Sequence, residues 1–367
     1  MRIAYLLGSL NRGGTETLLL DCFRNADQAG FPFIGIYRKE GFLSEEFKKT
    51  GVPLYPLAPS SKTDIGYLSR LRKLLDANRI TTVHAQQPLD AIYARLATIG
   101  TGIKVALTFH GYDLEAGKVE KNMIRWIIKR TDLTIFVSNA QKEHYRSQYS
   151  FRKEKTTTVY NGISFEKLVT DESSDLRKEL GINKETLLLG SIGNFGAVRD
   201  QLTVCKFVKL LSETNTDFQF VFVGQRNPGE EWRYDQCVSF CEENGLKEKI
   251  RFLGSRSDVP SILKQLDAFI YSTDHDTFGI AVIEAMACSL PVFVNDWEVM
   301  KEITENGQYA HLYKTKDHTD LLNQFLPFIV NKKQYKKEAE AAALWARDKY
   351  SIQKHLQLLE KVYKQMK

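Results

Sequence analysis

The stretch Asp274-His-Asp-Thr-Phe-Gly-Ile-Ala-Val-Ile-Glu284, continued by Ala285-Met-Ala-Cys-Ser-Leu-Pro-Val292, sets two carboxylates, Asp276 and Glu284, eight positions apart. Phe278-Gly279 reads as a turn after the first, and an apolar run leads to the second. Gly279 can start a helix whose early backbone N–H groups face an anion. Glu284, two turns later, offers a carboxylate to paired hydroxyls. An anion beside paired hydroxyls describes a sugar nucleotide.

Outward from this stretch, short apolar runs alternate with helical periodicity. Strands are expected near Leu187–Ile192, Phe218–Val223, Ile250–Phe252, Ala268–Tyr271 and Pro291–Val294, with helices between them. An earlier set reads as strands at Arg2–Leu7, Phe33–Tyr37, Thr82–Ala85, Lys104–Phe109, Leu133–Val137 and Thr157–Tyr160, with helical stretches at Thr15–Asn25, Ile65–Asn78, Asp90–Ile99 and Glu120–Lys129. Ser138 with Gln141 makes a capping box for the next helix. Such alternation implies parallel sheets covered on both faces. The pattern breaks after Asn161-Gly162, and the polar segment Lys167–Lys178 is the best linker candidate. Residues Lys333–Lys367 read as strongly helical.

A chain of 367 residues exceeds what one core usually supports, so two domains are expected. With 43% hydrophobic and 26% charged residues, it is an ordinary globular composition rather than a disordered or fibrous one. Residues 1–12 lack the features of a signal peptide, and no run of about 18 apolar residues occurs, so a cytoplasmic protein that does not span a membrane is expected. Five scattered cysteines, Cys22, Cys205, Cys237, Cys241 and Cys288, read as reduced structural thiols without zinc spacing. Residues 1–165 hold 24 Lys+Arg and 15 Asp+Glu, a surplus of nine positive charges, against 27 and 30 in the remainder. A basic first half points to an anionic partner. Within it, Lys118–Arg130 is amphipathic, with Lys121, Arg125 and Lys129 on one side and Ile124, Ile127 and Ile128 on another. The default reading is a surface helix on the core; the alternative is peripheral contact with an anionic membrane, with Trp126 in the headgroup layer.

Gly8-Ser-Leu-Asn-Arg-Gly13-Gly14-Thr15 nearly spells a P-loop, but Gly14 stands where that motif needs lysine, and Gly-x-Gly-x-x-Gly spacing is missing too. What remains is Gly13-Gly14-Thr15-Glu16, a flexible turn whose amides can approach an anion. Thr108-Phe-His110-Gly-Tyr-Asp113 ends an expected strand, where α/β sheets expose binding residues. Ser191-Ile-Gly193-Asn194-Phe195-Gly-Ala-Val-Arg199-Asp200 follows another strand and carries a cation able to hold phosphate. Phe222-Val223-Gly224 and Phe252-Leu-Gly254-Ser-Arg256 are two further strand ends.

Taken together, these motifs resemble the family-four retaining glycosyltransferases over essentially the whole chain. Asp276 to Glu284 is similar to the family's Glu-x7-Glu, Gly13-Gly14-Thr15-Glu16 to its Gly-Gly-Ala-Glu, His110-Gly-Tyr-Asp113 to its His-Gly-x-Asp, and Gly193 to Asp200 to its Gly-Arg-Phe-x-x-x-Lys-Asp. This chain departs from the pattern by carrying Asp in the first acid position and Asn194 in place of the family's arginine, one positive charge fewer. Asn161-Gly162-Ile163 looks like the family's interdomain crossing, and Tyr350-Ser-Ile like the lead into its last helix.

The resemblance implies an α/β protein of GT-B architecture: two Rossmann-like domains facing across a cleft, with a C-terminal helix crossing back. Residues 1–163, with about 350–367, would bind the acceptor, and 164–349 the donor. It implies a retaining transfer from a nucleotide diphosphate sugar of UDP or GDP type to a saccharide or lipid-linked saccharide hydroxyl in bacterial surface polysaccharide synthesis. His110, Arg199 and Asp276 would serve the reaction. The donor would lie among Gly13, Gly14, Asn194, Arg199, Gly224, Arg256, Phe278, Gly279, Ile280 and Glu284. Arg12 and Arg226 are candidates for the missing positive charge. No metal or other cofactor is expected. The alternatives are a nucleotide-sugar-binding protein of the same fold without turnover, and an oxidoreductase, disfavoured by the missing glycine fingerprint. Nucleic-acid binding is disfavoured because no reading motif is present.

Overall fold

All five side chains of Ile3–Leu7 are buried, as a central parallel strand requires when helices cover both faces of its sheet. The computed structural model describes residues 1–11, 13–61, 64–169 and 174–366. These form two units, Met1–Ile163 with Tyr350–Lys367 and Ser164–Lys349. Arg12 and the middle of the linker candidate, 170–173, lie outside the described residues.

In the first unit the strands are β1 (Ile3–Leu7), β2 (Phe33–Tyr37), β3 (Leu54–Pro56), β4 (Thr82–Ala85), β5 (Lys104–Phe109), β6 (Leu133–Phe136) and β7 (Thr156–Thr158). They make one parallel sheet in the order β3-β2-β1-β4-β5-β6-β7. The order reverses between β1 and β4, where Ile3 is in register with both Phe33 and Thr82. Crossover connections leave in opposite directions there, which opens a crevice at the carboxyl ends of the strands.

Helices Ile65–Ala77, Pro88–Ala97 and Lys118–Arg130 cover one face of this sheet through Leu71, Ala91, Ala94, Ile124, Ile127 and Ile128. The other face takes Gly14–Arg24 and the last helix, Ile352–Gln365. Ile352, Leu356, Leu359, Val362 and Tyr363 of that helix are buried among Tyr5, Leu7, Leu18 and Phe31. At about 1.5–3 kcal/mol for each fully buried large apolar side chain, this helix is part of the first unit's core. Backbone bonds stitch it in place, Ile163 N–H to Tyr350 O at 2.8 Å and Ile352 N–H to Ile163 O at 3.0 Å. Gly162 is needed here for closeness: a Cβ would meet His355 Cβ at 2.6 Å and Ile352 Cα at 2.8 Å.

The second unit contains β8 (Leu187–Ile192), β9 (Phe218–Val223), β10 (Ile250–Phe252), β11 (Ala268–Tyr271), β12 (Val292–Asn295) and β13 (His311–Tyr313). Its parallel sheet runs β10-β9-β8-β11-β12-β13, reversing between β8 and β11. Helices Gln201–Ser212, Glu231–Glu243 and His318–Val330 pack on one face through Phe207, Cys241 and Phe325.

Both sheets and all the expected strands are present, to within a few residues at their ends, and two local features differ from expectation. β3 and β13, each three residues at a sheet edge, were not expected; both are partly exposed, and Pro56 and His311 interrupt any apolar run there. The last helix starts where Tyr350-Ser-Ile led it to be expected: the helical C-terminus is Lys332–Tyr350 and Ile352–Gln365, divided where Ser351 turns extended and its hydroxyl caps Lys354 N–H at 3.3 Å. Ser138 caps Gln141 N–H as expected, but the Gln141 amide oxygen accepts from Val137 N–H and its Nε2 donates to Gly111 O at 2.9 Å, so the box also holds a loop beside His110.

Candidate active site

Each unit gathers its candidate residues at the carboxyl edge of its own sheet. In the second unit Arg199 and Asp276 meet on Tyr271, the last residue of β11. The guanidinium carbon of Arg199 lies 3.6 Å from the centre of the Tyr271 ring, and the Tyr271 hydroxyl donates to Asp276 Oδ2. Arg199 is only 7% exposed. Its Nη1 donates to Ile192 O at 3.0 Å and its Nη2 to Ser191 Oγ at 3.2 Å, while its buried Nε has no hydrogen-bond partner. The expected phosphate fork is thus largely turned inward, and Arg199 borders a concavity of about 270 Å³ lined also by Lys206, Arg233, Asp274 and Lys316. Burial pushes the Tyr271 phenol far above its ordinary range, with Arg199 opposing and Asp276 adding. The ring therefore stays a neutral donor.

Asp276 organises its own turn. Its Oδ1 accepts from Phe278 N–H at 3.1 Å and Gly279 N–H at 3.2 Å, and its own N–H donates to Thr273 Oγ1 at 3.0 Å. Gly279, with φ 79°, occupies the left-handed region, and Ile280–Ala287 follows as the helix. Gly279 starts the helix as expected, as its N-cap, and Glu284 follows five residues on. One expectation changes: the Gly279 amide itself is engaged by Asp276 rather than held open for an anion. Phe278 is buried, so its side chain supports the turn from the core. Glu284 is half-buried; its charge, after burial, is the next cause that raises the Cys288 thiol to about 11, while Arg347 and Lys264 oppose it.

The neighbouring loops are tied to this edge. Asn194 is exposed, and its Oδ1 accepts from Gln225 N–H at 3.2 Å. Gly224 has φ 157° and no room for a side chain, since a Cβ would lie 2.1 Å from Gly193 O; its N–H donates to Gly254 O at 2.8 Å. Arg256, expected beside the donor, is paired with two carboxylates. It bonds Asp258 through Nε and Nη2, both at 2.8 Å, and Glu179 at 2.9 and 3.0 Å. Arg226 is likewise paired, with Asp235 at 2.6 Å.

In the first unit, His110 follows β5. Its Nε2 meets Gln86 Oε1 at 2.8 Å, and the Gln86 amide nitrogen donates to His84 O at 3.4 Å, which leaves the oxygen to accept the histidine proton. Burial, then His355, pulls the His110 pKa down to about 3, so its imidazole is neutral near pH 7. His84 bonds Thr108 Oγ1 at 2.7 Å through Nε2 and the Tyr363 hydroxyl at 2.5 Å through Nδ1. His355 Nδ1–H donates to Tyr160 O at 2.7 Å. Asp113, the acid of the same motif, points into the core, where it accepts from His144 Nε2 at 3.0 Å and from the Tyr149 hydroxyl. At Gly13, the last residue before the helix Gly14–Arg24, a Cβ would lie 2.6 Å from Glu16 Oε2.

Tyr271, Asn295, Gln86, Arg38 and Asp90 stand outside the motifs legible in the sequence. Asn295, fully buried, exchanges two bonds of 2.9 Å with the Thr273 backbone and so holds the loop ahead of Asp276. A polar residue closing the apolar run Val292-Phe-Val-Asn295 was the available signal. Tyr271 gave none, since an aromatic residue is ordinary at a strand end. The helix Lys118–Arg130 turns Ile124, Ile127 and Ile128 into the core, with Trp126 half-buried beneath Arg130; its apolar side is therefore committed to the protein, and its cations face outward. All five cysteines are free thiols. Among the described residues no helix is long and apolar enough to cross a membrane.

Two family models match the chain in succession: Glycosyltransferase Family 4 over residues 12–167 and Glycosyl transferases group 1 over residues 172–345. N-acetyl-alpha-D-glucosaminyl L-malate synthase of Bacillus anthracis is 24% identical, across 86% of this chain and 83% of the relative. UDP-Gal:alpha-D-GlcNAc-diphosphoundecaprenol alpha-1,3-galactosyltransferase of Escherichia coli is 25% identical, across 77% of this chain and 75% of the relative. The crystal structure of Anabaena HepE in complex with UDP and glucose superposes with a TM-score of 0.86 at 18% identity, covering 99% of each chain. Two parallel Rossmann-like sheets, motifs in the expected order and both family matches agree: this chain belongs to the family-four glycosyltransferases and has the GT-B fold.

Proposed function

We propose that the protein transfers a glycosyl unit, with retention of anomeric configuration, from a nucleotide diphosphate sugar to a hydroxyl of a lipid-linked saccharide in bacterial surface polysaccharide synthesis. The observation that carries this reading is the convergence of Arg199, Asp276 and Gly279 at the β8–β11 switch point, where open α/β sheets bind ligands. The complex of HepE with UDP and glucose, and the diphosphoundecaprenol named for the Escherichia coli relative, support donor and acceptor class.

The hard step is departure of an anionic diphosphate as positive charge grows on the sugar ring. Fixed dipoles and cations beside that diphosphate stabilise the transition state more than the ground state. In this reading Arg199 acts mainly as a buried charge behind the β8 loop, while Asn194 and the backbone around Gly13 and Gly14 supply donors. Asp276, held by Tyr271, faces the sugar; Glu284 accepts from the ribose; His110, neutral, serves the reaction. No metal takes part: Asp274 and Asp276, the one Asp-x-Asp pair in this region, are committed to Lys316 at 3.3 Å and to the turn. A peripheral contact with anionic lipid would use only the outward cations of Lys118–Arg130.

Incubation with UDP- and GDP-sugars and a polyprenyl-diphosphate saccharide tests the reading, with transferred sugar as the readout. The inward commitment of Arg199 favours a second reading, a nucleotide-sugar-binding protein without turnover. Tight donor binding without transfer or donor hydrolysis would select it.

A further inference from the structure

Arg38 directly follows β2 and sits on the switch point of the first sheet. Its N–H donates to Leu7 O at 3.1 Å, which places it at the carboxyl end of β1. Its Nε donates to Asp90 Oδ1 at 2.8 Å, and its Nη2 reaches Gln87 Oε1 at 3.3 Å and Asp90 Oδ2 at 3.5 Å. Asp90 is 1% exposed and lies in the first turn of Pro88–Ala97, whereas the Arg38 side chain keeps 18% of its surface. Nη1 makes no hydrogen bond among the described residues. Gly8 closes the arrangement: a Cβ there would lie 2.9 Å from Gln87 Oε1 and 3.1 Å from Arg38 Nη2, so the backbone lies against the guanidinium.

A buried carboxylate that fixes one edge of a partly exposed arginine leaves the remaining donor already oriented. That arrangement suits capture of an oxyanion, because the side-chain entropy has already been lost. The basic surplus of residues 1–165 has the matching sign. We propose that Arg38, oriented by Asp90 and Gln87, binds an oxyanion carried by the acceptor, a phosphate or a carboxylate, at the β1–β4 crevice of the first unit. This rests on the reading above that the first unit receives the acceptor.

The full-length protein, first saturated with UDP to fill the donor's own phosphate site, is titrated calorimetrically with inorganic phosphate, pyrophosphate and succinate. Wild type is expected to bind at least one of the three, and the preferred anion separates a phosphate-bearing from a carboxylate-bearing acceptor. Arg38→Gln alone strands Asp90 and is expected to lower Tm; the double variant Arg38→Gln/Asp90→Asn removes that stranded charge and recovers most of it. Both are expected to weaken the preferred anion by about tenfold or more, the worth of one charge-assisted hydrogen bond, with UDP affinity unchanged. Unchanged anion affinity in the folded double variant, or no binding of any of the three by wild type, would overturn the proposal and leave Arg38–Asp90 an internal ion pair. Failure of UDP to bind would count against the donor reading instead, and the same titration without UDP would still judge Arg38.

Discussion

The guanidinium of Arg199 rests on the face of Tyr271, 3.6 Å from its ring centre. One aromatic side chain thus positions two candidate groups, Arg199 by its face and Asp276 by its hydroxyl. Tyr271→Phe keeps the face and loses the donor. It is expected to cost about 1–2 kcal/mol of stability and to lower kcat more than donor KM. Tyr271→Leu loses both and is expected to cost about 2–4 kcal/mol in urea unfolding.

Asp276 serves a turn as well as a proposed substrate. Asp276→Asn keeps an oxygen for the Phe278 and Gly279 amides but removes the charge, so Tm is expected to fall little while kcat/KM drops by about tenfold or more. Asp276→Ala also loses the turn and is expected to lower both. Equal activity of Asn and wild type would confine Asp276 to the turn.

Gly224→Ala places a Cβ 2.1 Å from Gly193 O at φ 157°, two faults with no flexible neighbour to absorb them. A loss of at least about 3 kcal/mol is expected, read as a lower urea midpoint. Gly8→Ala meets only the ends of Gln87 and Arg38 and is expected to cost much less.

Acid should weaken the first unit. Burial holds His84, His110 and His355 at about 3, 3 and 4, against 6.5 for the free side chain. Below about pH 6.5 the unfolded chain takes protons that the fold refuses. Stability is therefore full above that pH and is lost as pH falls towards 4, by up to about 1.4 kcal/mol per pH unit for each histidine. Tm measured from pH 7 to pH 5 is expected to fall; a constant Tm would contradict this assignment of neutral histidines.

Transfer is expected to survive EDTA and dialysis within twofold, roughly, of the untreated rate, because both aspartates of the Asp-x-Asp pair already have protein partners. Loss on chelation with recovery on added Mg²⁺ or Mn²⁺ would overturn the metal-independent reading.

The strands of both sheet interiors were legible because buried parallel strands are continuous apolar runs, as in Phe218-Gln-Phe-Val-Phe-Val223. The edge strand Leu54–Pro56, with one neighbour, partial exposure and a closing proline, leaves no comparable pattern. The site motifs were legible because Gly279 and Gly224 mark backbone that only glycine tolerates. The uses of the polar side chains beside them were not. Nothing local shows that Arg256 is claimed by Glu179, 77 residues away, or that Arg38 is oriented by Asp90, 52 residues away.

By itself, the sequence determined the alternation of strands and helices, the two parallel sheets and the motifs at their carboxyl edges. Those follow from local periodicity, turn geometry and the order of residues along the chain. Tertiary structure alone decided which charged groups remain available for a ligand. Arg199 and Arg256 are equally basic in the sequence, but one is stacked in the interior and the other neutralised by two carboxylates. A cation's use depends on which residues the fold brings within about 3 Å, and sequence spacing does not encode that.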